Sequence, residues 1–146
     1  RRCGDCGDEQ VMIPDLKGLV RVVAVCRALL PVQLEAGDVR LMRRALGMNQ
    51  RDFATAMEVA PETVSRWEKD GGAGIGGYAE KLVRYGVCSL LKESLPHIEV
   101  DTSAITKMRI YRLPEGESAP MPVIERVTVK HGRDREQVWD SDCMAA

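Results

Sequence analysis

Short polar side chains and cations recur between residues 49 and 69, and their types match the chemistry of reading DNA. Hydroxyls, amides and guanidinium groups reach base edges in a groove, whereas contacts to phosphates fix the position of the protein. The candidate DNA contacts are Asn49, Gln50, Arg51, Pro61, Glu62, Thr63, Ser65, Arg66 and Lys69. The alternative is a three-helix core whose polar face is only solvated, since amphipathic helices are common.

These candidates divide by the part of the DNA that each side chain suits. Thr63, Ser65 and Arg66 carry the short hydroxyls and the donor fork that base edges require. Gln50 suits a phosphate or a base edge. Glu62 suits a cytosine amino group, or it only complements the dipole at a helix start. The cations suited to phosphates are Arg51 and Lys69.

Apolar residues at helical spacing predict the first of three short helices that must position these side chains. It runs from residue 35 to residue 46, with Val39, Met42 and Leu46 on one stripe. Gly47 supplies the left-handed conformation that commonly ends a helix. The arginines off this stripe are Arg40, Arg43 and Arg44.

The second predicted helix begins at Asn49, whose side chain is a good N-cap. Phe53, Ala54 and Met57 form its buried face, and the small Ala54 allows two helices to cross closely. Residues 58–60 are the predicted turn to the next helix.

The third predicted helix covers residues 61–69 and carries most of the candidate DNA contacts. Pro61 suits the first helical position, where its missing N–H is no loss. Val64 and Trp67 face inward at a spacing of three, which leaves the polar side chains facing out.

The stretch from Gln50 to Glu68, QRDFATAMEVAPETVSRWE, resembles the Xre/Cro-type helix-turn-helix. Gln50 opens the second helix, a small alanine lies in its middle, and a Ser/Thr-rich third helix ends in Trp-Glu. The resemblance implies a lambda-repressor-like bundle whose third helix enters the major groove of DNA.

The same resemblance implies structural roles for the last two residues of the motif. Trp67 is expected in the core, and Glu68 is expected to pair with an arginine of the first helix such as Arg40 or Arg44. The chain departs from the family in the following loop, where five glycines occupy residues 71–77.

Cys3 and Cys6 form a Cys-x-x-Cys motif followed by glycine, which is the geometry of a zinc knuckle. One knuckle supplies only half of the tetrahedral ligand set of a structural zinc site. The other cysteines do not form a second knuckle, so a redox pair is the competing interpretation.

Residues 1–24 resemble the end of the YgiT-type zinc finger of MqsA-like antitoxins and related regulators. Val11 to Pro14 and the helix that follows match the order seen in that family. The family's first Cys-x-x-Cys lies upstream, and this chain does not begin with methionine, so we expect that knuckle to be missing here. The resemblance implies zinc in the intact protein, with Cys3 and Cys6 as ligands only if a second cysteine pair comes from outside this segment.

A helix from Asp15 to Leu30 is predicted to be apolar on most sides and too short to span a membrane. It needs a partner for both faces. Two interpretations stay open: a homodimer interface, or packing on the fourth helix of its own chain. That fourth helix is predicted over residues 78–92, with Ala79, Leu82, Gly86 and Leu90 on one stripe that is expected to close the core of the helix-turn-helix part.

Residues 72–77 satisfy the pattern Gly-x-Gly-x-x-Gly, but a helix precedes them, so we interpret them as an interhelical loop and not as a dinucleotide site.

Strands are predicted over residues 108–113, 123–130 and 136–140. His97 and His131 have no catalytic partners in a recognised pattern, and no enzyme is predicted.

Together these features predict a mainly α fold, a lambda-repressor-like bundle of four to five helices with a small C-terminal β extension. The predicted parts are residues 1–31 with the knuckle and apolar helix, residues 32–95 with the helix-turn-helix, and residues 96–146 with the extension. A net charge of −1 argues against a non-specific nucleic-acid coat.

The function predicted from these features is that of a dimeric, autoregulatory repressor that binds a palindromic operator in double-stranded DNA. The alternative is an antitoxin that covers a toxin with its N-terminal region and represses its own operon; a coactivator resembling the multiprotein bridging factors is a further one. No signal peptide or membrane span is visible, and the odd number of cysteines, five, suggests reduced thiols in a cytoplasmic, nucleoid-associated protein.

Overall fold

The computed structural model describes residues 4–142. This part of the chain is mainly helical, with a two-stranded antiparallel sheet near the C-terminus. The elements are α1 (Leu16–Leu29), α2 (Ala36–Ala45), α3 (Gln50–Ala56), α4 (Pro61–Trp67), α5 (Gly77–Lys92), α6 (Ser103–Lys107), β1 (Ile124–His131) and β2 (Asp134–Ser141). The prediction of a helical bundle with a small β extension is therefore confirmed.

Helix α1 packs within its own chain, against α2, α5 and β2. Asp15 starts the helix in the left-handed region, with φ 48°, and its carboxylate accepts from the Gly18 backbone N–H at 3.0 Å. Val22, Val25 and Ala28 are fully buried in the common core. Of the two interpretations of this helix, packing on the fourth helix of its own chain is the one that the structure shows.

An ion pair joins α1 to the start of α2. The Arg27 guanidinium donates to both Asp38 carboxylate oxygens at 2.9 and 2.7 Å, and also to the carbonyls of Val32 and Gln33. The Glu35 backbone N–H donates to Asp38 as well, at 2.8 Å. Asp38 therefore fixes both the first turn of α2 and its distance from α1.

The buried face of α5 differs from the predicted stripe. Leu82 and Leu90 are 42% and 44% exposed, and Gly86 lies against the side chain of Met57, the residue directly after α3. The buried residues are Glu80, Val83, Arg84, Val87, Cys88 and Leu91. The prediction of Leu82 and Leu90 as core residues was wrong because α5 carries apolar side chains on both faces. The face of α5 that packs in the core is the one that carries the ion pair of Glu80 and Arg84.

Residues 108–113 do not form the predicted strand. Tyr111 makes one isolated parallel bridge, donating to the Pro31 carbonyl at 2.9 Å and accepting from the Gln33 N–H at 2.8 Å. The segment beside it is the short connection between α1 and α2, and Pro31 has no N–H to extend a ladder. The helix α6 just before it was not predicted.

The β1–β2 hairpin packs on the start of α1 through Trp139. The indole N–H of Trp139 lies 3.0 Å from the Pro14 carbonyl oxygen, and the Arg126 guanidinium lies 5.2 Å from the ring centroid. His97 contacts the Trp139 carbonyl through Nε2 at 2.8 Å. Both predicted strands of this hairpin are confirmed: β1 is shifted by one residue from its predicted bounds, and β2 is longer than predicted.

The cysteines in the described part differ in state. Cys6 and Cys88 are free, and burial raises the pKa of the Cys88 thiol to about 12. Cys26 is disulfide-bonded, which contradicts the expectation of reduced thiols at that position. Within residues 4–142, no helix combines the length and the apolar character needed to cross a membrane.

Candidate nucleic-acid interface

The turn between α3 and α4 brings the two helices together. The Asn49 side chain caps α3 by accepting from the Asp52 backbone N–H at 2.9 Å. Glu58 takes a left-handed φ of 53° after the helix, and the Val59 N–H donates back to the Ala54 carbonyl at 2.9 Å. This chain reversal replaces the glycine turn that often ends a helix.

Helix α4 is held by two residues that face the core. Val64 is fully buried and Trp67 is 8% exposed. Around them, Thr63 is half-buried and the remaining polar side chains face solvent. The exposed residues of α4 are Pro61, Glu62, Ser65 and Arg66. The helix therefore presents one polar face outward, as its sequence predicts, whereas DNA contact by these residues stays a prediction.

The outward side chains of α4 and its neighbours have few partners of their own. Arg66 donates weakly to the Thr63 hydroxyl at 3.3 Å. Arg51 and Lys69 are exposed and form no ion pair with any residue in the described range 4–142. Their charges are thus available to an anionic ligand.

Glu68 is the residue that ties the three helices of this region together. Its carboxylate accepts from Arg43 of α2 at 2.6 and 3.0 Å, and from the Gln50 side chain of α3 at 2.8 Å. Arg43 also donates to the Met48 carbonyl at 3.0 Å. One carboxylate directly after α4 therefore fixes α4 against both α2 and the start of α3.

The identity of the arginine corrects the prediction from the resemblance. Arg43, and neither Arg40 nor Arg44, pairs with Glu68. Arg40 reaches past the end of α4 to Asp70 at 2.8 Å, and Arg44 is exposed. Of the three arginines, Arg43 lies nearest on the helix to the buried stripe of Val39 and Met42. This position explains why Arg43 is the one that pairs with Glu68.

Gln50 has a role that was not predicted. One N–H of its side-chain amide is used by Glu68. Its amide oxygen and its second N–H remain for a ligand, because the amide has two donors and one acceptor oxygen. A structural and a DNA-contacting role for Gln50 are compatible.

The hydrogen bonds among Glu68, Arg43 and Gln50 favour the charged forms of Glu68 and Arg43. Burial alone would raise the pKa of Glu68, but hydrogen bonds from Arg43 and Gln50 outweigh it and hold that pKa below its usual value. The hydrogen bond to Glu68 in turn raises the pKa of Arg43. The pair is therefore ionised at neutral pH.

The glycine-rich loop runs between helices, so it has no strand before it. Ile75 is 3% exposed and anchors the loop in the core. Gly71 and Gly74 take φ values of 70° and 71°, which side chains rarely adopt. The interpretation as an interhelical connection is confirmed, and Asp70 at its start is the partner of Arg40 that sequence reasoning missed.

The predicted zinc ligands are only partly within the described residues. Cys3 lies outside them. Cys6 is exposed, and its thiol donates to Asp8 at 3.4 Å. Between residues 4 and 142, no group of three or more histidine, cysteine, aspartate or glutamate side chains gathers in a metal-binding arrangement. These residues alone do not fit a closed zinc site.

Comparison with protein families finds a similarity in the central segment. A family model described as Helix-turn-helix matches residues 39–73, which cover most of α2, all of α3 and α4, and the start of the glycine-rich loop. The match supports an Xre-type helix-turn-helix in residues 39–73. Comparison with curated proteins and with solved structures gives no significant match.

The Xre-type helix-turn-helix fits a lambda-repressor-like bundle and is a DNA-binding regulatory domain, not an enzyme family. DNA is therefore the partner that this domain indicates. The match begins at residue 39, so it says nothing of the predicted zinc finger in residues 1–24.

Proposed function

We propose that this chain is a sequence-specific transcription regulator that places residues 61–69 in the major groove of DNA. The observation that carries this proposal is the fixed outward face of α4. Val64 and Trp67 bury one side of the helix, Glu68 bonds it to α2 and α3, and the polar side chains are left in solvent. A reading helix needs this rigid support and these free donors together.

The candidate contacts take distinct roles in this proposal. Thr63, Ser65 and Arg66 contact base edges, because they carry the side-chain hydrogen-bond donors on the polar side of the helix. Gln50 contributes its remaining amide groups at the start of α3. Glu62 accepts from a cytosine amino group, and Asn49 and Pro61 lie at the starts of their helices. The cations that contact phosphates are Arg51 and Lys69.

We further propose that the regulator is a cytoplasmic homodimer that represses its own gene. An exposed apolar stripe on α5 supports the dimer, since Tyr78, Leu82 and Tyr85 follow each other at helical spacing and are 87%, 42% and 49% exposed. Two copies joined by symmetry would read two half-sites of an inverted repeat.

Alanine at Thr63 or Arg66 is expected to weaken binding to the operator by about 1–3 kcal/mol for each residue. The reason is the loss of a base-edge contact, so affinity for random duplex DNA should change much less. The measurement is a fluorescence anisotropy titration of labelled duplexes at fixed salt, because phosphate contacts make every affinity salt-dependent.

The matched control for both changes is the pair Thr106→Ala and Arg109→Ala. These residues have the same types and the same spacing of three, and both are exposed beyond the helix-turn-helix. The control variants should bind the operator as the unmodified protein does. An equal loss of affinity for operator and random DNA would instead assign Thr63 and Arg66 to phosphates.

A further inference from the structure

A groove with a cationic rim lies between the first half of α1 and the outer face of α2. Its volume is about 510 Å³. Within residues 4–142, no aspartate or glutamate lines it, although acidic and basic residues are almost equal in number over the whole chain. The rim carries Lys17, Arg21, Arg40 and Arg44. The groove is therefore positively charged, whereas the whole chain has a net charge of −1.

The cations form two rows, one on each helix. Lys17 and Arg21 are four residues apart on α1, and Arg40 and Arg44 are four residues apart on α2, so each pair lies on one face. Like charges at this spacing destabilise a helix. An anionic ligand along the groove would relieve the repulsion in both rows.

Three of these four cations have no ion-pair partner among residues 4–142. Arg40 is the exception, because it bonds to Asp70 at 2.8 Å. Lys17 and Arg44 are exposed, and Arg21 is half-buried. The rim thus offers free charges on both sides of the groove.

The other side chains that line the groove are apolar. Leu16 is 56% exposed, and Val20 and Leu41 are half-buried. Leu16 and Val20 lie one turn apart on α1, as Leu41 and Ala45 do on α2. An apolar strip flanked by cations has the geometry that receives the apolar face of an amphipathic segment.

We propose that this groove binds an amphipathic, acidic helical segment of a partner protein. Its leucine-like side chains lie on the apolar strip, and its carboxylates, spaced one turn apart, meet the two rows of cations. Charge complementarity and the apolar strip both favour this occupant over a DNA backbone, which offers phosphates but no apolar side chains. This inference does not depend on the DNA-binding role of α4.

A fluorescein-labelled helical peptide with leucine on one face and glutamate on the flanks tests this proposal by fluorescence anisotropy. The unmodified chain should bind it, and the triple variant Lys17→Glu, Arg21→Glu, Arg44→Glu should bind it about tenfold more weakly or worse. Arg40 is left unchanged to keep its bond to Asp70. The matched control is Lys130→Glu, Arg133→Glu, Arg135→Glu, which reverses the same residue types on the exposed hairpin.

A second variant, Leu16→Ser, tests the apolar strip without charge reversal at a position that is 56% exposed. It should weaken binding about threefold or more, and a peptide with serine in place of leucine should bind more weakly to the unmodified chain. An absence of peptide binding, or equal losses in the groove and hairpin variants, would overturn the proposal. So would unchanged peptide affinity in the groove variant with a loss of random-duplex affinity, which would assign the groove to DNA.

Discussion

Alanine at Glu80 is expected to lower the free energy of unfolding by about 3–5 kcal/mol. Glu80 accepts from Arg84 at 2.7 Å, and the two side chains are 1% and 0% exposed. Its removal leaves the Arg84 guanidinium charged and buried without a counterion. The same carboxylate oxygen accepts from the Leu34 backbone N–H at 2.9 Å, so a second buried donor loses its partner.

The remaining bonds of Arg84 explain why this pair is so costly to break. Its guanidinium donates to the carbonyls of Ala28, Leu30 and Val32 at 2.8, 2.6 and 2.5 Å. These carbonyls end α1 and form the connection to α2. Arg84 thus holds the connection that sets α1 against the helix-turn-helix, and Glu80 holds Arg84.

Urea unfolding followed by far-ultraviolet circular dichroism measures this effect. The control is Glu93→Ala, an exposed glutamate next to the C-terminal end of the same helix, whose loss should change stability by less than about 0.5 kcal/mol. A Glu80→Ala protein as stable as the control would show that the buried pair does not hold the connection.

Glutamine at Glu68 is expected to destabilise the fold by about 1.5–3 kcal/mol at neutral pH. The change keeps the shape of the side chain but removes the charge that Arg43 and Gln50 bind. Glu68 is 6% exposed, so water does not replace these bonds.

The Glu68→Gln difference should also depend on pH with a definite sign. Since the pKa of Glu68 is held below its ordinary value of 4.5, the carboxylate stabilises the folded state at and above that pH. The stabilisation is lost as the pH falls through the lowered pKa. The gap in stability between the unmodified protein and the variant should therefore be constant near neutrality and close in acid.

Asp70→Asn is the control for this second prediction. Asp70 also pairs with an arginine of α2, but it is 76% exposed, and exposed pairs contribute little. Urea unfolding of both variants across pH should show a large difference only for Glu68→Gln. A gap that persists unchanged in acid would mean that the charge of Glu68 is not the source of stability.

The helices of the central segment were predictable because their signals are local. Asn49 as an N-cap, Pro61 at a first position and Gly47 after a helix each act within one turn of the chain. The inward positions of Val64 and Trp67 follow from helical spacing alone.

The features that were not predicted correctly from the sequence all depend on residues that are distant from one another in the chain. The pairing of Glu68 with Arg43 depends on which of three arginines lies nearest the core, and the resemblance did not discriminate among them. The inward face of α5 depends on the Arg84 pair, which a hydrophobic pattern counts as polar. The segment around Tyr111 has strand-like residues but finds only the short connection at Pro31 beside it.

Hydroxyl-radical footprinting of the protein on the DNA upstream of its own gene tests most directly whether α4 is the helix that reads DNA. In a homodimer, the outward faces of the two α4 helices should protect two half-sites of an inverted repeat about one helical turn apart. The variant Thr63→Ala, Arg66→Ala should lose this protection, and Thr106→Ala, Arg109→Ala should retain it. Protection that is absent, or that both double variants retain equally, would contradict the assignment of α4 as the reading helix.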